Sequence, residues 1–184
     1  MSYSTTVPSE SYSPPARRRR PEARSVIALI LFLAIASAVA AFGTVTTIAN
    51  VDGWYAQSMR VAWSPPNWIF GPVWTTLYTM MAVSAWLIWR RRRFEYVRPA
   101  LTLYVAQLFL NSVWTPLFFG GYELIGVPAL WIALAVILLL DVCVLACVLI
   151  FWPISRAASI LLMPYLAWIV FASSLNLGSA LLNS

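Results

Sequence analysis

Few side chains in this chain could carry chemistry, and most that could are indoles. There are ten tryptophans in 184 residues: Trp54, Trp63, Trp68, Trp74, Trp86, Trp89, Trp114, Trp131, Trp152 and Trp168. Histidine and lysine are both absent. There is no phosphate-cradling glycine loop and no serine elbow. Acid–base work would fall to Asp141, Glu123 or a tyrosine. Cys143 and Cys147 stand four apart with no histidine to complete a zinc set, and a four-residue helical spacing does not suit a disulfide. They read as small buried side chains. The chemistry left open is recognition. Indoles supply flat apolar area with one N–H each, and a few amides orient a polar edge.

The elements that must position these residues are helices in lipid. Hydrophobic residues make up 61% of the chain and charged residues 10%, against about 25% charged in a soluble domain. Such a chain cannot cover a water-facing surface. In lipid every backbone polar group must be paired internally, which leaves helices or a closed barrel. The apolar runs are unbroken and do not alternate, so helices are expected. The expected class is an all-α membrane protein, a bundle of five transmembrane helices. A basic, disordered tail over 1–24 precedes one domain over 25–184, with spans near 25–48, 68–89, 97–119, 127–151 and 155–182. The first run is too long for a signal-peptide core. Pro164 is expected to kink the last helix.

All twelve basic residues are arginine, and they cluster beside apolar runs, notably at Arg17–Arg20 and Arg90–Arg93. That pattern sets membrane topology and meets lipid headgroups; it does not build a nucleic-acid face. With five spans, the basic tail, Arg90–Arg93 with Arg98, and Arg156 share one side. The other side carries Arg60, Asp52 and Glu123. The N-terminus is then cytoplasmic, the C-terminus outside, and a bacterial-type plasma membrane is the expected location.

The first connection, about 49–67, is long and aromatic, which suits a lid over helix ends. Trp68, Trp89 and Trp152 fall at helix ends, as in an aromatic belt. Trp74, Trp114 and Trp168 lie within spans, where they either line a cavity or pack between helices. Gln107 and Asn111 share a face of the third helix, which should point into the bundle. Asn176 and Asp141 are further polar residues within spans.

Three separated stretches carry a family resemblance. The first joins Gly53, Trp54 and Tyr55 to Trp63-Ser64-Pro65-Pro66-Asn67-Trp68 and to Phe70, Gly71, Pro72, Val73, Trp74 and Tyr78. The second holds Gln107, Asn111, Trp114, Phe118 and Phe119. The third holds Pro164, Tyr165, Trp168, Phe171, Ala172, Leu175 and Asn176. Together they resemble the TspO/MBR family of translocator or tryptophan-rich sensory proteins, over about 26–183. The resemblance implies a five-helix bundle, often a homodimer, whose first long loop lids a pocket for porphyrins and other tetrapyrroles. The tetrapyrrole is a ligand there, and no cofactor is required. Carried over by motif, the pocket residues are Tyr55, Trp63, Trp74, Tyr78, Gln107, Asn111, Trp114, Trp131, Trp168 and Ala172. Trp74 and Trp168 match the tryptophans implicated in light-dependent porphyrin breakdown in some relatives. Three departures stand out. Val61 replaces a common proline, Ala82 and Val83 replace a common Gly and Tyr, and Ala135 stands where the family often has Asp. No arginine follows Asn176, which speaks against sterol binding. A receptor or sensor is the leading expectation; a porphyrin transporter, a photodegrading enzyme and a structural partner-binding protein are the alternatives.

Overall fold

The computed structural model describes residues 20–50 and 53–184. The tail over 1–19, with Arg17, Arg18 and Arg19, and also Asp52, lie outside the described residues. The described residues form helices joined by turns and by one longer loop over 58–66. α1 runs Arg20–Asn50, α2 Trp54–Gln57, α3 Asn67–Arg91, α4 Arg98–Phe119, α5 Gly121–Ile125, α6 Val127–Ile154 and α7 Arg156–Leu182. Among the described residues, four stretches are long and apolar enough to cross a membrane: Glu22–Ile48, Arg98–Phe119, Val127–Ile154 and Arg156–Leu182. α3 is 25 residues long, but its indoles, threonines and Tyr78 make it less apolar than these four.

Helix α1 begins at Arg20, so residues 20–24 are helical, unlike the tail expected there. Glu22 in its first turn complements the positive end of the helix dipole. Helix α6 runs through Pro153 to Ile154, because a proline in the last turn displaces a single backbone bond. α7 continues past Pro164 as helix. Ser155 alone separates the two, and its hydroxyl accepts from the Ala158 N–H as an N-cap.

The helices pack as a bundle in which α7 lies on α6 and α3, α4 on α6, and α1 on α3 and α4. The seams are built from small residues. Ala82, Ala85, Ala133, Ala158, Ser84 and Ser159 are fully buried, and small side chains let helix backbones approach where lipid removes most of the hydrophobic drive. Two hydroxyls bond across these seams: Ser84 Oγ donates to the Ala158 carbonyl at 2.7 Å, and Ser159 Oγ to the Val148 carbonyl at 2.7 Å. The outer faces are apolar, with Val26, Ile30, Leu139, Val142 and Leu149 all more than half exposed. A surface of that kind needs lipid as its solvent.

Gly126 joins α5 to α6 at φ +67, a backbone conformation that side chains rarely adopt. Gly178 answers to space instead. A Cβ there would clash with Val61 Cγ1, where the first loop rests on α7. Valine is stiff at χ1 and cannot swing aside. Gly178→Ala should therefore lift the loop and destabilise by about 1–3 kcal/mol. Limited proteolysis of the loop should accelerate, and Val61→Ala in the same chain should restore resistance. An unaltered cleavage rate in the single variant would refute this contact.

Candidate functional site

The loop over 53–66 is fastened at both ends and in its middle. Trp54 stacks on Tyr122 of α5 at 4.4 Å, and its Nε1 donates to the Phe119 carbonyl at 2.8 Å. Tyr55 packs edge-on against Phe118 and Phe119 at the end of α4. The Met59 N–H donates to Asn183 Oδ1 at 3.0 Å, and Asn183 Nδ2 donates back to the Met59 carbonyl at 3.1 Å. Trp63 Nε1 donates to Ser174 Oγ on α7 at 3.3 Å. The loop thus spans the ends of α4, α5 and α7. The guanidinium of Arg60 lies 5.0 Å from the Tyr55 ring centre. Partial burial raises the Tyr55 phenol above its usual range while Arg60 opposes the rise, so the ring stays neutral at ordinary pH.

Beneath the loop, α3 and α7 face each other with aromatic rings. Phe70 meets Trp168 at 5.8 Å, Trp168 meets Phe171 at 5.6 Å, and Trp74 meets Tyr78 at 5.5 Å and Tyr165 at 6.3 Å. Helical spacing explains the assembly. Positions 70, 74 and 78 form one stripe of α3, and 165, 168 and 172 one stripe of α7.

Deeper in the bundle the polar residues pair. Tyr78 donates its phenol proton to Asn111 Oδ1 at 2.5 Å, and Asn111 Nδ2 donates to the Tyr165 oxygen at 3.0 Å. Trp114 Nε1 donates to Asn176 Oδ1 at 3.1 Å, and Asn176 Nδ2 donates to the Leu130 carbonyl at 3.0 Å. Asp141 stands apart on α6, where Oδ2 pairs with Ser173 Oγ at 2.8 Å. Some buried polar atoms remain unpartnered among the described residues. They include Trp168 Nε1, both amide atoms of Gln107 and the Tyr104 hydroxyl. A buried donor without an acceptor is rare in a finished protein interior and points to a missing partner.

The expected site residues therefore fall into groups. Trp74, Tyr78, Trp168 and Ala172 lie on the two facing stripes, with Ala172 buried. Asn111 ties the α3 and α7 tyrosines together. Trp114 is tied to α7, Gln107 is buried on α4, and Tyr55 and Trp63 belong to the loop. Trp131 is 43% exposed on α6 and makes no ring contact with the others among the described residues. Phe70, Tyr165 and Ser174 join the site beyond the pocket residues carried over by motif, although Phe70 and Tyr165 stand within the motif stretches. Tyr165 precedes Trp168 by three residues, a helical spacing that could have flagged it.

An all-helical integral membrane protein, with an aromatic cluster between two helices under a fastened loop, is the class that these features define. The chain matches the TspO/MBR family over residues 28–182 and belongs to it. It is 34% identical over 160 residues to the tryptophan-rich protein TspO of Archaeoglobus fulgidus, covering 87% of this chain and 99% of that one. Over 153 residues it is 35% identical to the tryptophan-rich sensory protein of Cereibacter sphaeroides, covering 83% and 91%. Over 125 residues it is 39% identical to the human translocator protein, covering 67% and 70%.

Proposed function

We propose that this protein is a membrane receptor or sensor that binds a tetrapyrrole between α3 and α7, under the first loop. The observation that carries the reading is the indole N–H of Trp168. The nitrogen is buried, the ring meets Phe70 and Phe171, and the N–H has no acceptor among the described residues. A flat macrocycle offers stacking area to such rings and polar edges to such a donor. Arg60 at the loop supplies the cation that a propionate needs. α3 is proposed as the fifth span, since it is buried between α1 and α7. With five spans the arginine-rich segments face the cytoplasm, and a homodimer in a bacterial plasma membrane is the proposed state.

Light-driven breakdown of the ligand is a second reading, favoured by Trp74 and Trp168 lying on the same α3–α7 seam. One titration addresses both. Protoporphyrin IX is added to detergent-purified protein in the dark, then under light, following Trp fluorescence and porphyrin absorbance. Saturable quenching is expected, and its absence would overturn tetrapyrrole binding. Loss of porphyrin absorbance under light that stops in Trp74→Phe and Trp168→Phe would favour breakdown over sensing.

A further inference from the structure

The basic end of the bundle holds a cavity apart from the aromatic cluster. A cavity of about 560 Å³ opens there between the start of α1 and the end of α3, within the usual range for a small-molecule site. Its walls carry four guanidiniums, from Arg24, Arg90, Arg92 and Arg93, and two indoles, from Trp86 and Trp89. One carboxylate, Glu22, also lines it. None of the four arginines forms an ion pair among the described residues.

The geometry organises this charge. Trp86 Nε1 donates to the Ser25 carbonyl at 2.9 Å and so ties α1 to α3, fixing the two walls. Arg90 lies over the Trp86 ring at 4.7 Å and Arg92 over the Trp89 ring at 3.2 Å. Arg92 also donates to the Trp89 carbonyl at 2.8 Å. A guanidinium stacked over an indole is held in place, and Arg92 spends one N–H on the Trp89 carbonyl while its remaining donors can meet a phosphate. Burial first, then repulsion from Arg93 and Arg24, holds the Arg92 guanidinium below its usual value. Four guanidiniums against one carboxylate leave an excess of positive charge that calls for an anion.

The surroundings choose among anions. Trp86 and Trp89 lie in the last turns of α3 beside Arg90 and Arg91, the placement by which tryptophans mark a membrane interface. Val26 lines the cavity, and Ile27, Ile30 and Leu31 continue from it along α1 with more than half of their surface exposed. A headgroup phosphate in the cavity would set its acyl chain along that strip. We propose that this cavity is a binding site for an anionic phospholipid, with the phosphate held by Arg24, Arg90, Arg92 and Arg93 and the acyl chain lying on α1.

The test uses the full chain in maltoside micelles doped with phosphatidylglycerol or phosphatidylcholine, with retained lipid counted by native mass spectrometry. Phosphatidylglycerol should be retained in preference to phosphatidylcholine. The double variant Arg24→Gln/Arg93→Gln should weaken that retention by about 30-fold, from the loss of two near-surface cations. The control pair Arg98→Gln/Arg156→Gln removes equal charge outside the cavity and should leave retention intact. Equal retention of both lipids, or no effect of the first pair, would overturn the site. An equal loss in both pairs would reduce it to general surface charge. Displacement of phosphatidylglycerol by millimolar glycerol phosphate would reassign the site to a soluble phosphate and overturn the lipid assignment.

Discussion

Asn111→Leu should be among the most destabilising single substitutions in the bundle core, at about 2–4 kcal/mol. The amide bridges two tyrosines on different helices, accepting from Tyr78 and donating to Tyr165. All three residues are buried. Removing the bridge strands two phenols in an apolar interior, and each stranded group costs about 1–3 kcal/mol. The lower part of the summed range applies, because a chain unfolded within lipid finds other partners for its polar groups. Unfolding in mixed micelles, followed by circular dichroism, reads the effect. The diagnostic arm is the triple variant Tyr78→Phe/Asn111→Leu/Tyr165→Phe. It removes donors and acceptors together, so no group is left unpaired, and most of the lost stability should return. If the triple variant is no better than Asn111→Leu alone, packing holds the seam and the hydrogen bonds do not.

That network shows where legibility in the sequence ends. The long helices follow from apolar run length, which is local information. α4 runs Arg98–Phe119 against an expected 97–119, and α7 runs Arg156–Leu182 against 155–182. The ends differ more where charge and proline compete with the apolar signal, as at Arg20 and Pro153. The short helices α2 and α5 span four and five residues, too few for a hydrophobic period to register. Partner choice across helices is not local at all. Gln107 and Asn111 sit on one face of α4 and look equivalent by spacing, yet Asn111 is doubly bonded and the buried Gln107 amide has no partner among the described residues. Asn111 meets Tyr78 of α3 and Tyr165 of α7, and spacing along α4 alone does not reveal those partners. Trp131 makes the same point from the other direction. Its type and motif suggest a lining residue, while the rotation of α6 leaves it 43% exposed.

The substitution with the largest expected effect on binding is Trp168→Ala. Its ring touches Phe70 on α3 and Phe171 on its own helix, so truncation opens the seam on which the proposed ligand stacks. Losing the apolar contact of one large side chain is worth about 1.5–3 kcal/mol, which is roughly a 10- to 150-fold weaker dissociation constant. Two contributions are mixed in that figure, ring area and the N–H donor. Trp168→Phe separates them, because phenylalanine keeps an aromatic face and lacks the donor. A single neutral hydrogen bond contributes about 0.5–1.5 kcal/mol, so Phe should weaken protoporphyrin IX by roughly 2- to 12-fold. The ordering wild type, then Phe, then Ala identifies the unpartnered N–H as a ligand donor. Equal affinity of Phe and wild type would confine Trp168 to stacking. Undiminished affinity in Trp168→Ala would remove this residue from the site, and with it the observation on which the α3–α7 seam was assigned to a tetrapyrrole.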